Sequence, residues 1–138
     1  MKNVVEAAPR VGCGALIENA TSEILLVKRK RAPEKNHWGF PGGKVDFGET
    51  TEAATIREVM EELGVKINLN GLVHLVNYID IPAGQHWLAP VYNAVIVSGS
   101  PSIREPDALS EYKWFSRTDL PSPLTQATLQ TLRKTQKI

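Results

Sequence analysis

The sequence predicts an α/β domain with a mixed β-sheet and a helix on each face. Three observations predict it. Apolar, β-branched runs of strand length recur on both sides of one well-marked helix. That helix, Thr51 to Leu63, has a Thr cap, an acidic first turn at Glu52 and Gly64 just past its end. A second amphipathic segment, Leu124–Lys134, follows the last strand. Strands, helix, strands, helix is an order that buries a sheet between helices.

Each element has its own reason. Val11–Asn19 is apolar with small residues and reads as a strand, and Glu23–Lys28 is a second run. The turn-like Asn19-Ala20-Thr21-Ser22 between them predicts a hairpin. A basic, Pro-containing loop runs from Arg29 to Asn36. Trp38-Gly39-Phe40 is a short strand, which Pro41-Gly42-Gly43 should break. After the helix, Leu72–Ile81 and Trp87–Val97 read as two longer strands. Ser100–Ser110 is polar, with two prolines, and reads as an exposed loop. Tyr112–Phe115 is a short strand, and Leu120-Pro121-Ser122-Pro123 breaks the chain before the final helix.

A chain of 138 residues is the size of one domain, and one domain is expected over 1–138. Its hydrophobic fraction of 42% and charged fraction of 22% fit a globular protein. A net charge of +1 gives no general pull toward nucleic-acid polymers or membranes. The one cysteine, Cys13, allows no intramolecular disulfide and no thiolate zinc site, and reads as a packed strand residue. Met1–Glu6 lacks the apolar stretch of a signal peptide, so a cytoplasmic location is expected.

The chemistry concentrates on the first helix. At about 100° per residue, with Glu58 at zero, Glu61 falls near 300° and Glu62 near 40°. Ala53, Ile56, Val59, Met60 and Leu63 fall between about 100° and 220°, so that face is expected to dock on the sheet. The three carboxylates should then stand together on the other side. Such like charges repel, by about 0.2–0.5 kcal/mol per pair. Arg57, four residues before Glu61, offsets part of this, and a divalent cation would offset more. Carboxylate oxygens suit Mg²⁺ or Mn²⁺ rather than zinc. By itself the cluster reads equally well as a solvated acidic face.

The loop Pro41 to Glu49 shifts that balance. Its glycines allow close approach of a ligand, and it leads into a helix N-terminus that favours phosphate. It is not a P-loop. In Gly43-x4-Gly48-Glu49-Thr50 a glutamate stands where the phosphate-neutralising lysine belongs.

Gly43, five residues, Glu49, seven residues, Arg57-Glu58-Val59, one residue, Glu61-Glu62, one residue, Gly64-Val65 resembles the complete Nudix box. That pattern is G-x5-E-x7-R-E-U-x-E-E-x-G-U, with U a bulky aliphatic, and every fixed position matches. Phe40-Pro41-Gly42-Gly43-Lys44 and the strand order resemble the MutT-type branch. The resemblance runs from Arg10 to Arg133 and implies a Nudix-type α/β/α sandwich.

For function, the resemblance implies Mg²⁺-dependent hydrolysis of a diphosphate linkage in a small-molecule nucleotide, with Mn²⁺ as an alternative ion. Glu58 and Glu62 would be metal ligands, and Glu61 a third, directly or through water. The carbonyl of Gly42 or Gly43 would complete the set. Arg57 would pair with Glu49 and hold the carboxylates in place. The base that takes the proton of the attacking water is Glu58 or an acid of the 100–110 loop, Glu105 ahead of Asp107.

The leading substrate is a (d)NTP or modified NTP, giving NMP and pyrophosphate. The alternatives are ADP-ribose or another nucleoside diphosphate sugar, and a catalytically silent nucleotide-binding domain. A homodimer is plausible from the resemblance alone. Trp38, Phe40, Phe47, Tyr78, His86 and Trp87 include enough aromatics to sandwich a base, with several expected in the core. Arg29, Lys30 and Arg31 could meet phosphates, or be solvated strand-end charges. Pro82 lies near the place where ADP-ribose-cleaving members carry a proline, at an offset that does not quite fit.

Overall fold

The computed structural model describes residues 7–136; the segment Met1–Glu6, where no signal peptide is expected, lies outside them. Strand β1 (Arg10–Ile17) is buried on both faces from Gly12 on, because its alternate residues pack into clusters on either side of the sheet. Strand β2 (Ile24–Arg29) follows across a turn closed by Asn19, whose side-chain oxygen accepts from the N–H of Thr21 and Glu23. Strands β3 (Trp38–Gly39) and β4 (Gly42–Lys44) lead to helix α1 (Thr51–Leu63). Then come β5 (Lys66–Asp80), β6 (Gln85–Ser98), β7 (Leu109–Phe115) and helix α2 (Gln126–Gln136).

The strands form two sheets, in the orders β4-β1-β6-β5 and β3-β2-β7. The first is mixed: β1 and β6 are parallel, while β1–β4 and β5–β6 are antiparallel. Two apolar clusters form on opposite sides. Ala15, Ile17, Leu25 and Val27 pack with Val59 and Leu63 of α1. Leu16, Ile24, Leu26, Val76 and Val91 pack with Leu132 of α2. Strands β1 and β2 thus feed both clusters by simple alternation, with a helix over each. This is the expected α/β/α sandwich.

Four local expectations are corrected. First, β1 and β2 are not a hairpin beyond the single bridge Glu18–Ile24. A strand has two edges, and those of β1 are taken by β4 and β6. Second, Gly42-Gly43 does not end the sheet but forms β4 beside β1. Gly14 faces Gly42 there, and a Cβ on Gly42 would collide with the Cys13 carbonyl. Third, β5 and β7 begin earlier than Leu72 and Tyr112. In β5, Ile67 and Leu69 already point inward before a bulge at Gly71, which sits at φ +106°.

The fourth correction concerns α1. Its buried residues are Ala54, Thr55, Val59, Glu62 and Leu63, while Ala53 is exposed and Met60 is 42% exposed. The docked face is rotated by roughly 100°, about one residue, from the apolar face of the sequence. Glu62 is therefore on the buried side.

Candidate active site

The site is built where α1 crosses β4. The helix starts as its sequence dictates: the Thr50 hydroxyl accepts from Ala53 N–H at 3.0 Å. Its position is fixed by a 2.6 Å hydrogen bond between the Thr51 hydroxyl and the Tyr92 phenol on β6. It ends at Gly64, left-handed at φ +71°, whose N–H donates to Met60 O. A Cβ there would also strike the Arg104 guanidinium.

Arg57 gathers the acids. Its Nε and Nη2 donate to the two oxygens of Glu49 at 2.7 and 2.9 Å, a bidentate pair. Nη1 donates to Glu58 at 2.9 Å and Glu61 at 3.1 Å, and Nη2 also reaches Lys44 O. The guanidinium holds the Glu49 carboxyl down at about 2. Glu58 is pushed up by burial, against the pull of Arg57. Its carboxylate fills the space where a Cβ of Gly43 would stand, so any larger residue there would displace Glu58.

Glu62 is only 8% exposed, and its Oε1 accepts from Gly42 N–H at 2.9 Å. Burial pushes its carboxyl up to about 8; the Gly42 N–H opposes this, and the charges of Glu58 and Glu105 add to it. The 99–108 loop lies close because its backbone is tied to α1: Ser102 N–H donates to Leu63 O and Arg104 N–H to Glu62 O. Glu105 is half-buried beside the helix acids, whereas Asp107 is exposed.

The glycine carbonyls differ. Ala15 N–H donates to Pro41 O and Val45 N–H to Val11 O, so alternate residues 41, 43 and 45 face β1. Gly42 faces the other way, toward Glu62, and a ladder residue presents its N–H and C=O on one side. Gly42 rather than Gly43 therefore presents its carbonyl to the acids. Among the described residues, no three carboxylate, imidazole or thiolate groups already converge on one point. Glu58 and Glu61 are both turned to Arg57. The donors within reach are all oxygens, and Glu62 is a buried acid that a bound cation would help to ionise. That set fits a hard divalent cation.

On the other face of the sheet lies a cavity of about 310 Å³. Phe40, Val76, Tyr78, Trp87 and Ala89 give it apolar walls, Gly42, Gly43 and Glu62 stand at the acid end, and Arg29 and Lys44 also line it. The other aromatics go elsewhere. Trp38 is buried edge-on against Phe115 at 5.1 Å, and Phe47 is fully exposed. His86 pairs with Ile79 in the ladder, outside the cavity. Lys30 is tied to Pro106 O, and Arg29 Nε to Pro33 O. Pro82 is exposed in the β5–β6 turn, which Gly84 N–H closes onto Ile81 O. No local pattern marked Gly12, Gly14 or Ala89, which let the cavity form by having small or no side chains.

The NUDIX domain profile matches residues 8–135. The chain belongs to the Nudix hydrolase family. It is 50% identical to the crystal structure of a MutT NUDIX hydrolase from Burkholderia pseudomallei, with TM-score 0.89, covering 93% of this chain and 98% of that one. It is 32% identical to an ADP-ribose pyrophosphatase of Methanocaldococcus jannaschii over 82% of this chain, and spans 65% of that relative's length. It is 31% identical to a putative 8-oxo-dGTP diphosphatase of Bacillus subtilis, over 80% of this chain and 68% of the relative. No helix among the described residues of this Nudix chain is long and apolar enough to cross a membrane.

Proposed function

We propose that this Nudix chain hydrolyses the diphosphate linkage of a nucleoside triphosphate or modified triphosphate, releasing NMP and pyrophosphate. One observation carries the reading: Glu62 and Gly42 line the same cavity as the aromatic side chains. A base fits the apolar end, which leaves the phosphates at the acids. Three helix carboxylates facing phosphates require a cation between them. Glu58, Glu61, Glu62 and the Gly42 carbonyl would hold Mg²⁺ or Mn²⁺. Bound there, the ion would neutralise phosphate oxygens and make water easier to deprotonate.

The chain's own groups do the rest. Trp87 and Tyr78 stack the base, and Arg29 and Lys44 lie along the same cavity as cations for phosphate. Arg57 fixes Glu58 and Glu61 through Nη1 and anchors to the box through Glu49. Glu105, close to Glu58 and Glu62 on a tethered loop, takes the proton of the attacking water, with Glu58 the alternative base. Phosphoryl transfer asks for this positioning and charge more than for covalent help.

A second reading is cleavage of a nucleoside diphosphate sugar, favoured by the relative named an ADP-ribose pyrophosphatase. Incubation with a nucleotide panel and Mg²⁺, with phosphate detection with and without pyrophosphatase, separates the two. NMP plus pyrophosphate supports the first reading; NMP plus a sugar phosphate supports the second. No Mg²⁺-dependent turnover on any substrate, with nucleotide binding intact, would overturn both in favour of a silent binding domain.

A further inference from the structure

We propose that Glu34 selects the base: its carboxylate accepts a hydrogen bond from an amino group on the base edge. The cavity then takes an amino-bearing base and refuses one that carries an oxo group there. The inference rests on the nucleotide reading of the cavity and names the class of base. Stacking on Trp87 and Tyr78 cannot make that choice, since every base has a π-face. The polar side chains that line the cavity can. In that reading Arg29 and Lys44 meet phosphate and Glu62 meets the cation. The Thr125 hydroxyl is engaged with that of Thr128 at 2.7 Å. Glu34 and Tyr78 remain. They are neighbours: burial pushes the Tyr78 phenol up, and the charge of Glu34 adds to it.

That end of the cavity lies away from the acids. Glu62 meets Gly42 on β4, whereas Tyr78 is on β5. The order β4-β1-β6-β5 puts three strand spacings between them, about 14 Å at ~4.8 Å each. A ligand with its phosphates at one end therefore brings its base to the other.

Glu34 is held in place there. Its Oε2 accepts from Gln126 N–H at 2.7 Å, at the start of α2. That helix is pinned to β5 in turn, where Gln130 Nε2 donates to Asn77 O at 2.9 Å. Among the described residues the ion pairs gather at Arg57 and at Arg117 with Glu18, and none reaches Glu34. The second carboxylate oxygen is left for one donor. An ionised carboxylate only accepts. The amino group of adenine, cytosine or guanine therefore suits it, and the carbonyl of uracil or hypoxanthine is repelled. The backbone points the same way. Glu34 sits at φ +60°, a conformation strained for glutamate and free for glycine. The turn by itself does not ask for a carboxylate.

Steady-state kinetics with Mg²⁺ on CTP against UTP, ATP against ITP and GTP against ITP, in ribo and deoxy forms, tests this. Within the pair it turns over best, wild type should favour the amino member by about tenfold or more in kcat/KM, the size of one hydrogen bond to a charged group. Glu34→Gln keeps an acceptor for Gln126 N–H but offers the base an amide N–H₂. It should cut that preference by about tenfold or more, through KM rather than kcat. Glu34→Gly suits the left-handed turn, so it should fold, and it should lose the preference as well. Equal turnover of both members by wild type, or a preference that both variants keep, overturns the proposal and leaves the hydrolase reading standing. A uniform loss on every nucleotide with a lower melting temperature makes Glu34 only an anchor for α2, which also overturns it. Failure to bind or cleave any of these nucleotides overturns both readings.

Discussion

Glu62 meets two opposed demands, being buried against Gly42 and yet needed as an anion. Its carboxyl is raised to about 8 from an ordinary value of 4.5. The folded state therefore holds a proton that the unfolded state has released between these values, so stability falls as pH rises through this window. In metal-free conditions the melting temperature of wild type, relative to Glu62→Gln, should drop from pH 5.5 to pH 8.5. A relative rise would show that Glu62 is not the buried acid described here. Mg²⁺ should raise the melting temperature more at the higher pH, where the ligand is ionised. Glu62→Gln keeps an acceptor for the Gly42 N–H, so the fold should survive while turnover falls by more than about 100-fold, beyond the 10–100-fold typical of outer-sphere partners. Near-normal turnover would sink the metal assignment. Arg57→Lys gives up the bidentate pair with Glu49, and kcat should fall about 10–100-fold. Unchanged kinetics would make Arg57 a mere surface charge.

At the scale of elements, the site depends on how closely β4 and α1 approach. Gly42 and Gly43 are needed for opposite sides of that contact: one Cβ would strike the Cys13 carbonyl, the other the Glu58 carboxylate. Gly42→Ala must push backbone against backbone, and a loss of about 1–3 kcal/mol is expected in urea unfolding. Gly43→Ala meets a movable side chain instead. It should cost less stability but displace Glu58, so that Mg²⁺-dependent turnover drops while the melt barely moves. The reverse pattern for the pair would contradict the packing described. The rotation of α1 belongs to this scale too. Its apolar positions form a continuous arc, yet the helix turns by about one residue because Glu62 must reach Gly42 and Thr51 must reach Tyr92.

For the whole molecule, the two faces of one sheet divide the work. One face carries the helix acids, the other the aromatic cavity, and the glycines of β1 and β4 thin the sheet between them. Binding and chemistry should then separate under mutation. Trp87→Ala removes one stacking surface and should raise KM about tenfold or more, as loss of base stacking does, with little change in kcat. A kcat loss without a KM change would remove Trp87 from the base site. Bound nucleotide and Mg²⁺ together should protect the fold more than either alone, which thermal shift measurements can check.

Helix α1, its caps and the spacing of Glu49, Arg57, Glu58, Glu61 and Glu62 were determined by the sequence alone, because a helix places residues by fixed local geometry. The alternation of apolar residues likewise determined most strands and the sandwich. Three things were decided only in three dimensions. Which edge of β1 is free, and so whether β1 and β2 form a hairpin, depends on competition from β4 and β6, which are distant in sequence. The face of α1 that docks depends on partners at Gly42 and Tyr92, so Glu62 was legible as an acid but not as a buried one. The choice of Phe40, Tyr78 and Trp87 over Trp38 and Phe47 for the cavity depends on where glycines leave room. Local periodicity is written along the chain, whereas pairing, burial and empty space are properties of residues that meet only when it folds.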